Sequence, residues 1–212
     1  MIWMDGGNTH VHVLVQGRIE HLKPDAAVRR YHAQRVAYIN VNPHNAALFS
    51  AIAGWEDLAP RLHLTGAYRG MGIDRIAICL AYPDGIFVDA GSAVTVDVVD
   101  DGVYQGGFIA PGFHAYARTY AAISPVLDVP FDREIDISVL PKTTREGVSF
   151  GTVAPIVAAI EKLRGSRPLY VTGGDGAWLA NYWDDAAYDA ALVFRGMQRV
   201  GSALNPTFIN EE

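Results

Sequence analysis

Two stretches of the chain repeat one another. Residues 2–13 run Ile-Trp-Met-Asp-Gly-Gly-Asn-Thr-His-Val-His-Val, and residues 86–97 run Ile-Phe-Val-Asp-Ala-Gly-Ser-Ala-Val-Thr-Val-Asp. At one constant offset Asp5 meets Asp89, Gly7 meets Gly91 and Asn8 meets Ser92. Each copy is a short apolar strand, an Asp, a small residue, a Gly, a small polar residue and then a run with apolar side chains at every second position. Val11, Val13 and Val15 give that alternation in the first copy, and Val94, Val96 and Val98 in the second. A Gly-containing turn follows each, at Gly17-Arg18 and at Asp101-Gly102, leading into Ile19–Leu22 and Val103–Ile109. Period-two spacing closed by such a turn is a hairpin signature, so each copy predicts a three-strand antiparallel meander. A fold containing one unit twice is the strongest constraint this creates.

Mixed elements follow each meander. Residues 25–31 have helical spacing, 36–41 form a strand, and 43–53 a helix with Pro43 in its first turn. In the second half 113–123 is expected to be helical, and 143–163 a long helix kinked at Pro155. Residues 169–172 form a buried strand ending at Gly173-Gly174, with closing helices over 177–182 and 195–203. The segment from Ser124 to Pro141, with its three prolines, reads as loop. The expected architecture is α/β, two similar domains facing one another, 1–80 and 81–212, each a mixed sheet opening with a meander. The joint falls between Tyr68 and Tyr82. A chain of 212 residues suits two small domains.

Composition excludes other classes. Half the residues are hydrophobic and 19% are charged, which fits a packed core rather than disorder. The net charge is −6 and the densest basic pair is Arg29-Arg30, so no nucleic-acid partner is expected. The lone cysteine, Cys79, has no internal disulfide partner and sits in an apolar run, as a small buried hydrophobe in a reducing compartment would. No stretch reads as a leader or a membrane span, so the expected location is cytoplasmic, with no membrane partner.

The repeat suits phosphate chemistry. Gly6 and Gly7 let the backbone approach a ligand and take positive φ, and successive N–H groups of such a turn form a concave donor set for anions. Asn8 and Thr9 add side-chain donors. Asp5, at the strand end, can hold Mg²⁺ directly or through water. The second copy offers Gly91, Ser92 and Thr95 to the same phosphates and Asp89 as a second cation-binding carboxylate. Two hairpins of this kind would clamp a polyphosphate and its metal. No P-loop and no dinucleotide-binding glycine fingerprint is present, so a bound nucleotide would be held by this device.

Asp5-Gly6-Gly7-Asn8-Thr9 resembles the Asp-x-Gly-Asn-Thr phosphate motif of type III pantothenate kinases. Gly72-Ile73-Asp74-Arg75 resembles their Gly-x-Asp-Arg motif, and Asp89-Ala90-Gly91-Ser92-Ala93-Val94-Thr95 their Asp-x-Gly-Thr-Ala-x-Thr. Gly106–Gly112 resembles Gly-Gly-x-Ile-x-Pro-Gly, and Thr172-Gly173-Gly174 a late adenosine-side Thr-Gly-Gly. These motifs keep the family's order along nearly the whole chain. The resemblance implies duplicated ribonuclease H-like domains of the actin-like ATPase superfamily. It also implies phosphorylation of pantothenate by Mg-ATP as the first step toward coenzyme A, dependence on K⁺ or NH₄⁺, and a homodimer. It casts Asp74 as general base and Arg75 as a substrate contact, with Gly72, Ile73, Tyr68 and Thr144 beside pantothenate. Asp89 becomes the monovalent-cation ligand, Ser92 a phosphate contact in place of the usual Thr, and Gly173 and Gly174 nucleotide contacts. The family's Ser-Met-Gln-Ser-Gly is here Gly147-Val148-Ser149-Phe150-Gly151, keeping only the last Gly.

A non-catalytic Bvg accessory factor of the same fold is the alternative, and Asp5, Asp74 and Asp89, all present, weigh against it. His10 and His12 share a strand face without a third metal ligand in view. Glu211 and Glu212 read as a frayed end.

Overall fold

A computed structural model of the chain describes residues 1–7 and 10–204. The expectations for Asn8, Thr9, Glu211 and Glu212 lie outside the described residues.

Two five-stranded sheets share one topology. In the first, β1 (Ile2–Gly6), β2 (Val11–Val15) and β3 (Arg18–Leu22) form the expected meander. After α1 (Pro24–Tyr31), β4 (Val36–Asn40) returns parallel to β1. After α2 (Pro43–Ser50), β5 (Trp55–Asp57) adds parallel to β4, giving the order β3-β2-β1-β4-β5. The helix α3 (Ile73–Cys79) precedes the second sheet. There β6 (Gly85–Ala90), β7 (Ala93–Asp100) and β8 (Val103–Pro111) are followed by α4 (Phe113–Ile123) and α5 (Thr144–Arg164). Then come β9 (Leu169–Thr172), α6 (Gly176–Leu179), β10 (Ala187–Tyr188) and α7 (Leu192–Leu204). The order β8-β7-β6-β9-β10 repeats the first sheet strand for strand, with β9 parallel to β6 and β10 parallel to β9.

Sequence chemistry explains the repetition. β1 and β6 are central strands, and Ile86, Phe87 and Val88 have no exposed surface. A strand covered on both faces needs a continuous apolar run. β2 carries buried Val11 and Val13 on one face and partly exposed His12 on the other. The two hairpins use the same turn: Gln16 and Gly17 have φ of 49° and 72°, Asp101 and Gly102 have 50° and 72°. Positive φ at both central residues is what a type I′ hairpin requires. The first turn therefore sits one residue earlier than expected.

By packing, the chain forms two compact units. Among the described residues, the first holds those of 1–83, 100–105 and 191–204, the second 84–99 and 106–190. The closing helix thus packs in the first unit, where Gly196 lets the two backbones approach: a Cβ there would overlap the Ala77 carbonyl of α3. In the second unit Val88, Val94 and Val96 pack with Phe113, Val153, Ile156 and Ile160. Burying one such side chain contributes about 1.5–3 kcal/mol.

The segment expected to be a plain joint contains α3. The helix expected over 43–53 stops at Ser50; its start is capped by Asn42, whose side chain accepts the His44 N–H at 3.0 Å. α5 runs through Pro155 from Thr144 to Arg164. The carbonyl deprived of its bond there belongs to Gly151, which is exposed and open to water.

Candidate functional site

The duplicated topology puts Asp5 and Asp89 in equivalent places, each one residue before the end of its central strand. In the first sheet Asp5 lies opposite His12, which lies opposite His21. The Oδ1 atom of Asp5 is shielded from solvent. Gly6 and Gly7 do not take positive φ, contrary to the reason expected for them; they serve close approach. A Cβ on Gly6 would lie 2.8 Å from Asn40 Oδ1, and one on Gly7 2.9 Å from the His10 carbonyl. Asn40 is fixed in turn, donating to the Asn42 carbonyl at 2.8 Å and accepting the Asn42 N–H at 3.1 Å. The strand-end turn is thus packed to backbone tolerance on one side.

In the second unit Asp89 lies opposite Thr95 on β7 and beside Thr172 on β9. Residues in register across a sheet share a face, so the row Thr95–Asp89–Thr172 presents two hydroxyls flanking one carboxylate. Thr172, the first residue of the Thr-Gly-Gly motif, thereby joins the residues beside Asp89. Gly173 has φ of 92°, and a Cβ there would overlap Ala90 O and Asp89 Oδ1. Only glycine meets both demands. The neighbouring Gly174 is exposed, with no atom within 4 Å of a Cβ position. Gly91 and Ser92 make the tight turn after Asp89, where the Gly91 N–H donates to Ala93 O at 2.9 Å. Gly112 abuts this turn: its N–H donates to Ser92 O at 3.2 Å, and a Cβ on it would overlap the Gly91 carbonyl. The Gly-Gly-x-Ile-x-Pro-Gly segment therefore backs the second Asp-led turn. Ser92 itself is exposed.

Tyr68, Gly72, Ile73, Asp74 and Arg75 come together at the start of α3. Asp74 Oδ1 accepts the Arg75 N–H at 2.8 Å, and a Cβ on Gly72 would lie 2.5 Å from the same oxygen. Glycine at 72 gives the carboxylate room to fold over the helix start, where exposed N–H groups favour negative charge. Arg75 is 6% exposed. Its Nη1 donates to the Tyr68 hydroxyl at 2.7 Å and its Nη2 to the Tyr104 hydroxyl at 3.3 Å. The guanidinium expected to meet substrate directly is thus also the support of two phenols. Nothing local in Val103-Tyr104-Gln105 marks Tyr104 for this contact. Tyr68 is 51% exposed and carries its hydroxyl from this buried cation outward.

Thr144 is the first residue of α5 and is exposed. The cap is Thr143, whose Oγ1 accepts the Glu146 N–H at 3.3 Å and donates to Glu146 Oε2 at 2.9 Å. Thr144 is left without a capping task. Ser149, in the degenerate motif, has no exposed surface and accepts the Asp132 N–H at 2.8 Å.

Among the described residues no three His, Cys, Asp or Glu side chains are grouped so as to hold a metal. Mg²⁺ bound with a nucleotide does not need such a cage, since one or two carboxylates, water and phosphate oxygens complete its shell. Asp5, with its Oδ1 shielded from solvent at the strand end, fits that role. His12 has its pKa lowered by burial, with His21 and then His10 adding to the effect. No helix among the described residues is long and apolar enough to cross a membrane. A cavity of about 540 Å³ in the first unit, walled by Leu64, Leu80 and Pro83, contains none of these site residues.

Residues 59–165 match the family model described as type III pantothenate kinase. The type III pantothenate kinase of Helicobacter hepaticus is 38% identical over 201 residues, covering 94% of this chain and 98% of the relative. That of Wolinella succinogenes is 39% identical, covering 93% and 94%. Among solved structures, a Campylobacter jejuni protein described as a conserved Baf family transcriptional activator superposes with a TM-score of 0.88 at 36% identity, covering 98% of this chain and all of that one. A Sinorhizobium meliloti protein described as a 2-dehydro-3-deoxygalactonokinase aligns over the whole chain and 98% of its own, with a TM-score of 0.56 and 10% identity, a likeness of fold alone.

Proposed function

The chain belongs to the type III pantothenate kinase family, and we propose that it transfers the γ-phosphoryl group of ATP to the primary hydroxyl of pantothenate, giving 4′-phosphopantothenate on the route to coenzyme A. The observation that carries this reading is the pair of Asp-led glycine turns at matching positions of two identical sheet topologies, together with the Gly72-Ile73-Asp74-Arg75 helix start. The halves 1–80 and 81–212 are the duplicated domains, residues 81–83, 100–105 and α7 being parts of the second that pack in the first unit.

Each residue has a defined task. Asp5, Gly6, Gly7, Asn8 and Thr9 bind ATP phosphates from the first sheet, and Gly91, Ser92 and Thr95 from the second. Gly173 and Gly174 border the nucleotide. Asp5 would hold Mg²⁺ brought in with ATP, which when bound would supply charge neutralisation to the phosphates. Asp89 serves K⁺ or NH₄⁺. Arg75, Tyr68, Gly72, Ile73 and Thr144 bind and orient pantothenate. Asp74 accepts the proton of its hydroxyl as that oxygen bonds to the γ-phosphorus; the bond from phosphorus to the β–γ bridging oxygen breaks and ADP leaves. Phosphoryl transfer depends mainly on positioning and charge, so an ordinary carboxylate suffices as base. A cytoplasmic homodimer completes the reading.

The Baf-type name of the Campylobacter jejuni structure favours a second reading, an accessory protein without turnover. Retention of Asp5, Asp74 and Asp89 argues against it. The test is ADP release by purified protein with Mg-ATP and pantothenate, in K⁺, NH₄⁺ and Na⁺ buffers. Pantothenate-dependent ADP release stimulated by K⁺ or NH₄⁺ is expected. No turnover in any of the three would overturn the kinase reading.

A further inference from the structure

The Pro-rich segment between α4 and α5 reaches back to the Thr172–Asp175 turn and the helix after it, and Arg133 makes the ionic contact. Asp175 is 8% exposed, and a carboxylate so enclosed needs a cation or several donors. Arg133 Nη2 lies 2.5 Å from Asp175 Oδ1. The same guanidinium stands 5.1 Å over the Trp178 ring, and Trp178 Nε1 donates to the Arg133 carbonyl at 2.7 Å. Arg133 is therefore gripped at backbone and side chain at once. Its neighbours are fixed too. The Asp132 N–H donates to buried Ser149, and the Phe131 ring packs 5.9 Å from Phe113 and 5.7 Å from Trp178. On the other side of the turn, the Asp175 N–H donates to Ala90 O at 2.9 Å, directly after Asp89.

We infer that Arg133 is a positioning residue that holds the Gly173-Gly174 bend against the Asp89 strand end, and so sets the affinity for the nucleotide. This rests on the assignment of Gly173 and Gly174 to ATP. The bend is held from two directions, by the Ala90 carbonyl and by Arg133. Without the guanidinium the enclosed carboxylate is uncompensated and turns toward water, taking the bend with it. The open space at Gly174, where a nucleotide can come close to the backbone, keeps its shape only while Asp175 stays in place. Lysine at 133 would keep the charge but lose the planar fork and the stacking on Trp178.

The experiment compares the whole protein with its Arg133→Gln, Arg133→Lys and Asp175→Asn variants. In the absence of ligands, amide hydrogen exchange over residues 173–179 is expected to quicken about tenfold in Arg133→Gln, from the loss of a hydrogen bond to a charged group. The dissociation constant for ADP, read by calorimetry, and the KM for ATP should rise by a similar factor, while the KM for pantothenate stays within about twofold. Arg133→Lys should recover part of the loss. Adding Asp175→Asn to Arg133→Gln should cost less than the two separate effects combined. Unchanged exchange in Arg133→Gln would overturn the tether. Faster exchange with unchanged ADP affinity, or equal increases in both KM values, would overturn the positioning role. Should the wild-type protein itself fail to phosphorylate pantothenate, the kinase reading falls, and the exchange measurement still decides the tether.

Discussion

Replacing Asp74 with Asn separates chemistry from folding at the proposed base. The substitution keeps Oδ1, which accepts the Arg75 N–H at 2.8 Å, so the start of α3 keeps its local bond. What disappears is a negative charge beside the free N–H groups of a helix start, worth about 0.3–1 kcal/mol. For a chain of this size that corresponds to a fall in Tm of about 1–4 °C. The catalytic cost should be much larger. Removing a positioned general base typically lowers the rate about 10²–10⁴-fold, or about 2.7–5.5 kcal/mol of transition-state stabilisation. Three assays apply: coupled ADP formation at saturating pantothenate, calorimetric ADP binding, and thermal unfolding. The expected result is a loss of at least a hundredfold in kcat with ADP affinity within about twofold and a small Tm shift. Turnover within about threefold of wild type would refute the role of Asp74, as would an equal loss of ADP binding.

Four other perturbations follow from the same geometry. Gly173→Ala forces a Cβ into Ala90 and Asp89 at a φ of 92°, a strain of about 1–3 kcal/mol, and should lower Tm and nucleotide affinity together. Gly174→Ala, with open space around it, should leave Tm unchanged and raise the KM for ATP; steady-state kinetics and thermal unfolding on both variants check this. Arg75→Lys loses the fork that supports Tyr68 and Tyr104, so the KM for pantothenate should rise about tenfold while that for ATP does not. His12 gives a pH signature. Its folded pKa lies below the ordinary 6.5, so as pH falls past that value the unfolded chain takes up the proton first and stability drops. Thermal unfolding between pH 8 and pH 5 should show a shallower acid loss in His12→Asn than in wild type.

The repeated unit was legible because its signals are local: an apolar run, an Asp, glycines and two-residue alternation all lie within a dozen residues. That locality gave both meanders and the equivalence of Asp5 and Asp89. The motif at 72–75 gave Asp74 and Arg75 for the same reason. Short elements were not legible. β5 has three residues and β10 two, too few for any period to show. α3 is a seven-residue helix hidden in a run that alternation and helical spacing describe equally well. Long-range pairing was invisible as well. Arg133 and Asp175 are separated by 42 positions, and Arg75 and Tyr104 by 29, so only the folded chain brings them together. The reason assigned to Gly6 and Gly7 also differs in the structure, since a glycine in a sequence does not reveal whether it serves positive φ or a crowding neighbour such as Asn40.

The identity of the product tests the account most directly. Phosphorus NMR and mass spectrometry of a reaction containing the protein, Mg-ATP, K⁺ and pantothenate should reveal a phosphomonoester on the primary hydroxyl of pantothenate, formed in step with ADP. ADP formed with inorganic phosphate and unaltered pantothenate, or no consumption of ATP at all, would contradict it.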